Sequence, residues 1–346
     1  MKQVFFKSII ILSVFFVSCS EDDTVVLGDY ESGVFVINEG NFGDGDGSIS
    51  YFNKNGGNTE QTVFKSINGG KLGDVVQSAT FSDGLIFVVI NNSNRVEVVN
   101  AYTFESVYSI TDVVLPRYAA VSEGKGYLTE WVSFSDAGRV TIFDVATGSI
   151  DSRVTVGFGA EDIVVENGKA YVSNSFGNTI SIIDLSDNSV EEIEVSASPK
   201  QMEIDATGNL WVACAGGFDA NFSPANDGAL HKVNLSSNEI ETTYELNTNY
   251  AAKLAMSMER TNIYFYVGNN VFEQNVSTSS ISSEPFIVNE TAISIYGIGI
   301  DPNTGMMYLG DSKAFLEDGE VFQYNASGEL MTTFPSGRAP NGFVFN

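Results

Sequence analysis

Seven aromatic residues of this 346-residue chain sit where aromatics are scarce, in loops rich in Gly, Ser, Asp and Asn. They are Phe42 in "NEGNFGDGDG", Trp131 and Phe134 in "EWVSFSDAG", Phe176 in "NSFGN", Phe218 and Phe222 in "CAGGFDANFSPANDG", and Phe315 in "DSKAFLEDG". The starts of nearby strands add Arg117, Tyr118, Lys200, Tyr250 and Lys253. Rings supply contact area at low entropic cost, and a few polar groups fix orientation, so this mixture suits a concave site for a small organic molecule. Catalytic constellations are scarce by comparison. His231 is the single histidine and lies in the alternating strand "ALHKVNL", where a structural role is expected. Zinc sites and paired-histidine acid/base chemistry therefore lack their usual groups. No nucleophile elbow, phosphate loop or dinucleotide fingerprint occurs. An enzyme would have to draw on Glu39, Glu130, Glu161 and Asp162, the evident loop and strand-end carboxylates. "GDGDGS" (Gly43 to Ser48) invites Ca²⁺, but it lacks the spacing and terminal Glu of an EF-hand and reads as a plain loop.

Such loops need a scaffold, and the chain spells one out repeatedly. "YVSNSFGNTISIIDLSDNSV" (Tyr171 to Val190) is two alternating runs joined by a polar turn, then a second turn, which is a hairpin. Equivalent hairpins begin near Phe35, Phe87, Tyr127, Trp211, Tyr264 and Tyr308, so the seven are separated by 52, 40, 44, 40, 53 and 44 residues. That period fits a four-stranded propeller blade. An inner strand precedes each hairpin from the second onward, as in "RYAAVSEG" and "PKQMEIDATG", and an outer strand follows, as in "SVEEIEV". The first copy lacks a convincing inner strand, while the chain ends on an unpaired "APNGFVFN". The expected fold is all-β: a seven-bladed β-propeller of four-stranded antiparallel blades, its ring closed by the C-terminal strand. Within it, the repeated strand aromatics are expected to pack between blades and touch no ligand.

The N-terminus concerns location. "MKQVFFKSIIILSVFFVSC" carries Lys2 and Lys7 ahead of an apolar run from Ile9 to Val17, then Ser18 and Cys19. The run is too short to span a bilayer and reads as a signal peptide. Residues 1–18 are thus expected to be removed, residues 19–31 to form a lipidated Cys19 with an acidic tether, and residues 32–346 to form the propeller. The cysteine placed there resembles a bacterial lipobox, with Phe16 in place of the usual Leu. That resemblance implies diacylglycerol on Cys19, and "SEDD" after it resembles the export signal of Bacteroidota surface lipoproteins.

Charge and cysteines narrow the partners. Forty-four acidic residues against 17 basic give a net charge of −27, which repels phosphate backbones and argues against nucleic acid. Besides Cys19 only Cys214 remains, so no disulfide framework exists, and Cys214 in "LWVACAGG" is expected to be a small buried apolar residue.

The repeats resemble YVTN/YncE-like propellers, most clearly at Tyr171-Val172-Ser173-Asn174. More narrowly, "GVFVINEGNFG", "KLGDVVQSATFSDG", "INNSNRVEVVN" and "RYAAVSEGKGYLTEW" resemble surface propeller lipoproteins of Bacteroidota. What that resemblance implies is a lipid-anchored, monomeric protein of the cell outer membrane, facing outward. It would have no enzymatic activity and no resident cofactor. It would capture a corrinoid such as cobalamin, or an iron–siderophore complex, and pass it to a TonB-dependent transporter. The alternatives are a propeller enzyme of lactonase or dehydrogenase type, and a protein-binding scaffold or adhesin. No short motif of the family fixes the ligand, so the expected contacts stand on loop position alone.

Overall fold

Residues 27–218, 223–250 and 252–346 are described by a computed structural model of the chain. Cys19, the signal segment and Phe222 lie outside the described residues, as do residues 219–221 and 251. Seven four-stranded antiparallel sheets follow one another around a ring, and the seven-bladed propeller is what the period predicts. In blade one, Gly33–Asn38 pairs with Ser48–Asn53 on one side and with the C-terminal Pro340–Phe345 on the other. The last strand is therefore the inner strand of the first blade. Its pairing leaves no open seam between the chain's two ends.

Each blade is buried on both faces, and this explains why the second strands are almost wholly apolar. In blade four, Ala170 and Val172 pack into a cluster with blade three, whereas Tyr171 between them packs into a cluster with blade five. Strand geometry sends successive side chains to opposite faces, so one strand serves two interfaces. Seven such clusters form, one at each blade interface. The seven repeat aromatics, Phe35 through Tyr308, are all buried in them. Outer strands such as Val190–Glu194 are instead mostly exposed and carry charge, which discourages edge pairing.

The folded body starts earlier than residue 32. Tyr30, expected in the tether, is buried against Phe35, Tyr51 and Phe104, and its backbone N–H donates to the Tyr102 carbonyl. A ring of that size gains more by filling the wall between blades one and two than by staying in water. Blade six also departs from expectation, since its inner strand is only Leu254–Met256. Blade five carries an added two-stranded ribbon, Gly217–Phe218 with Pro224–Asn226, which accounts for the longest repeat step. Among the described residues helix is confined to one segment, Val63–Asn68, and a 3-10 turn, Lys313–Phe315. Among the described residues no helix is long and apolar enough to cross a membrane.

Candidate functional site

The inner strands do not run straight to the mouth of the ring. Six show a register shift at their first residues, between Val76 and Ser78, Pro116 and Ala119, Ala160 and Ile163, Pro199 and Met202, Ile295 and Gly297, and Pro340 and Gly342. A bulge of this kind re-aims the side chains it contains. In six blades the preceding residue is left-handed: Val75, Leu115, Gly159, Ser198, Ala252 and Ala339. For a β-branched residue such as Val75, with φ of 59°, that conformation is costly and must be imposed by the surroundings. Side chains of the second strands take up the backbone groups that the bulges free. The Thr129 hydroxyl accepts the Tyr118 N–H at 3.0 Å, and the Ser173 hydroxyl accepts the Asp162 N–H at 2.9 Å.

The result is one polar side chain from each blade at the same level of the axis. The second inner-strand residue provides it in six blades, namely Gln77, Arg117, Glu161, Lys200, Tyr296 and Asn341. In blade six it is Lys253, one residue ahead of the shortened strand. All but Asn341 line a cavity of about 460 Å³ that also receives Tyr118, Trp131, Phe176, Tyr250 and Tyr266. Beneath it a second chamber of about 250 Å³ is lined by Glu203, Met256, Ile298 and Phe343, with Gln77, Tyr118 and Gln201 shared between the two. A larger cleft of about 580 Å³ lies on the flank between blades five and six. It contains none of the loop aromatics or cations singled out in the sequence. We therefore take the mouth cavity as the site.

Its chemistry centres on Arg117. The guanidinium forks onto Glu161, with Nε donating to Oε2 at 3.0 Å and Nη2 to Oε1 at 2.6 Å, and its third arm bonds Gln77. Trp131 donates its indole N–H to the same carboxylate at 3.0 Å, and its ring lies 3.9 Å from the guanidinium carbon. Burial opposes charge on both members of this pair, yet each outweighs it for the other. The Glu161 carboxyl stays below its ordinary pKa, helped by Lys200, and Arg117 stays above its own. Lys253 lacks such a partner: it donates to the Asn341 carbonyl and stands 4.9 Å from the Tyr296 ring centroid. Burial pushes its pKa down to about 8, against the opposing pull of Glu39. Tyr296 donates to Glu39 at 2.7 Å.

Of the contacts expected from sequence, Arg117, Tyr118, Trp131, Phe176, Lys200 and Tyr250 meet in this one cavity. Phe134 stands on its rim, stacked on Phe176 at 5.9 Å and 5.7 Å from Trp131, with 76% of its surface exposed. Phe315 lies behind the wall, edge-on to Tyr296 at 5.0 Å. Phe42 is not brought to the cavity and is 79% exposed; Gly43 beside it is tied back, its N–H donating to Asp74. Phe218 is described by its backbone alone, in the ribbon strand Gly217–Phe218. Of the polar and aromatic lining residues, Gln77, Gln201, Tyr266 and Tyr296 are not singled out as contacts by the sequence. Aligning the inner strands would have found Gln77, the repeat equivalent of Arg117 and Lys200.

Three further features of the sequence have definite surroundings. His231 is buried, accepting the Ser196 N–H at Nε2 and therefore donating from Nδ1 to Thr243, and burial pushes its pKa down to about 4. It is a neutral structural residue. In "GDGDGS" the Asp46 carboxylate accepts the Asn41 N–H at 2.8 Å, and among the described residues no cluster of three His, Cys, Asp or Glu is placed to hold a metal. Cys214 is buried.

The chain belongs to the DUF5074 family, a domain of unknown function, whose profile matches residues 32–338. No curated protein matches it in sequence. Among solved structures, it is similar to a quinonprotein alcohol dehydrogenase-like protein from Bacteroides thetaiotaomicron. The TM-score is 0.71 at 16% identity, covering 91% of this chain and 78% of that one. A functionally unknown protein from Desulfotomaculum acetoxidans aligns with TM-score 0.65 at 11% identity over 91% and 98% of the two chains. Hydrazine synthase of Kuenenia stuttgartiensis aligns with TM-score 0.60 at 16% identity over 75% and 85%. At these identities the likeness concerns the fold alone.

Proposed function

We propose that this propeller binds a small organic ligand at its mouth and performs no chemistry on it. The observation that carries the reading is the convergence of Arg117, Trp131, Phe176 and Lys200, from three blades, on one cavity of about 460 Å³. That volume lies within the ordinary range of small-molecule sites, roughly 300–1,000 Å³. Binding is favoured over catalysis because the available carboxylates are already engaged. Glu130 accepts from Arg139 and Thr141, Glu161 from Arg117 and Trp131, Glu39 from Tyr296 and Asn341, and Asp162 from the Met202 N–H. Glu161 is the one of these that lines the cavity, and the hydrogen bonds from Arg117 and Trp131 lower its basicity.

On this reading the protein is anchored through Cys19 to the outside of the outer membrane. It captures a corrinoid or an iron–siderophore complex there and delivers it to a TonB-dependent transporter. Both cargoes are larger than the cavity, so they seat against the mouth and its aromatic rim rather than inside the ring. The test is isothermal titration calorimetry of the purified protein with cyanocobalamin and with a ferric tris-catecholate. Saturable one-to-one binding of either supports the reading. Silence with both would overturn it.

A further inference from the structure

We infer that the mouth selects an aromatic anion, its ring against Phe176 and Phe134 and its negative group among Lys200, Lys253 and the Tyr266 hydroxyl. The inference rests on the binding reading above and specifies its ligand class. In a chain with 44 acidic and 17 basic residues, the mouth cavity inverts the balance. Three cations, Arg117, Lys200 and Lys253, line it against a single ionised carboxylate, Glu161. Glu39, which accepts from the Tyr296 hydroxyl, pulls on Lys253 through space but does not line the cavity.

The three cations are not equally committed. Arg117 is spent on Glu161 and Gln77. Among the described residues no hydrogen bond or ion pair engages the Lys200 ammonium, although its field reaches Glu161. Lys253 has only neutral neighbours in contact, the Asn341 carbonyl and the Tyr296 ring. Tyr266 adds an independent sign: it is 3% exposed, lines the cavity, and its hydroxyl has no hydrogen-bond partner. Burial holds that hydroxyl protonated, so it is a donor without an acceptor. A buried donor left unmade costs free energy, and an arriving acceptor recovers it. One free ammonium, one ammonium with only neutral partners in contact and one orphaned O–H all lack the same thing, an anionic oxygen.

The ring requirement comes from the opposite wall. Trp131 and Phe176 meet at 4.7 Å, and Phe134 stacks on Phe176. Arg117 already covers Trp131, which leaves Phe176 and Phe134, 43% and 76% exposed, as the free aromatic surface. A cationic ring would meet that wall but also three like charges. A bare inorganic anion would satisfy the ammonium groups and leave the wall wet. Of the two cargo classes above, a tris-catecholate iron complex combines rings with negative charge, whereas a corrinoid is not defined by that combination.

The test uses calorimetry on the whole mature protein with 2-naphthalenesulfonate, 2-naphthylmethylammonium, sodium sulfate and cyanocobalamin. The expected result is that the sulfonate binds at least tenfold more tightly than the ammonium and than sulfate. Lys200→Gln should weaken the sulfonate by about tenfold, the size of one lost charge-assisted contact. Its thermal unfolding should be unchanged, because that ammonium makes no internal bond; Lys253→Gln provides the second variant. Affinity should also fall as pH rises through about 8, where free Lys253 loses its proton and binding must restore it. Equal binding of sulfonate and ammonium would overturn the charge selection, and equal binding of sulfonate and sulfate would overturn the aromatic part. Cyanocobalamin binding with no sulfonate binding would sink this inference and leave the mouth as a binding site. Silence of all four probes would sink this inference, and silence of the ferric tris-catecholate as well would sink the binding reading with it.

Discussion

The chain has two tryptophans, and they divide the molecule between them. Trp211 lies inside a strand of blade five, fully buried, stacked on Tyr244 at 5.4 Å, with its indole N–H donated to Asp205 at 2.9 Å. Trp131 is the first residue beyond a strand of blade three, and its N–H also goes to a carboxylate, Glu161, at 3.0 Å. The local chemistry is the same in both places. What differs is who owns the acceptor and what covers the ring. Asp205 belongs to the turn of Trp211's own blade and also holds the Thr207 and Asn209 N–H groups, so that bond closes a blade on itself. Glu161 belongs to the next blade and is shared with a guanidinium, so the Trp131 bond builds a wall across two blades and leaves space in front of it. One tryptophan stabilises the blades; the other shapes what they enclose.

Substitution should separate the two roles. Trp211→Ala removes a fully packed ring and should cost about 3–5 kcal/mol of folding stability, the usual range for a large core aromatic. Trp131→Ala should cost well under half of that in stability, yet weaken ligand binding by about 1–3 kcal/mol, as for an interface anchor. Denaturant unfolding and calorimetry on the same two variants check both numbers. Equal losses of stability from the two would mean that Trp131 is also core.

A smaller effect concerns the channel below the mouth. Burial pushes the Asp162 carboxyl up to about 8 and Glu203 up to about 7. Both unfolded values lie near 4. The folded state therefore holds these protons more tightly than the unfolded state does. The corresponding stability is fully present below about pH 4 and is lost as pH rises through about 7 to 8. Asp162→Asn should flatten the fall in melting temperature between pH 5 and pH 8, by a few degrees, with Glu203 responsible for what remains. A pH profile of Asp162→Asn identical to that of the parent would show that the Asp162 carboxyl is not desolvated in the ring.

How much of this was legible beforehand follows from what each feature depends on. The blades were, because burial on two faces makes strands such as Ala170-Tyr171-Val172 apolar in unbroken runs, with turn residues between them at a steady period. Ring closure was, because "APNGFVFN" had no partner of its own and blade one lacked a strand. The aromatic wall was legible only in part. Phe42 and Phe134 sit in loops of similar composition, and what separates them is that Phe134 faces Phe176 on the next blade while Phe42 has no ring within stacking distance among the described residues. The polar ring was the least legible. Whether Gln77 or Tyr296 points to the axis depends on a bulge, and for Gln77 also on the left-handed Val75 before it, and neither leaves a mark in the sequence. Tyr266 reads as one more core position of "NIYFYVG", and only its unpartnered hydroxyl reveals the cavity beside it.

The most direct measurement replaces Trp211 by Phe, which leaves Trp131 as the single tryptophan, and follows its fluorescence while a ferric tris-catecholate and cyanocobalamin are titrated in turn. A ligand seated at the mouth touches the wall that contains Trp131, so its emission should change in a saturable way. The midpoint should match the affinity measured by calorimetry. Binding by calorimetry with Trp131 emission corrected for absorbance unchanged would contradict the account, because the ligand would then sit away from the mouth.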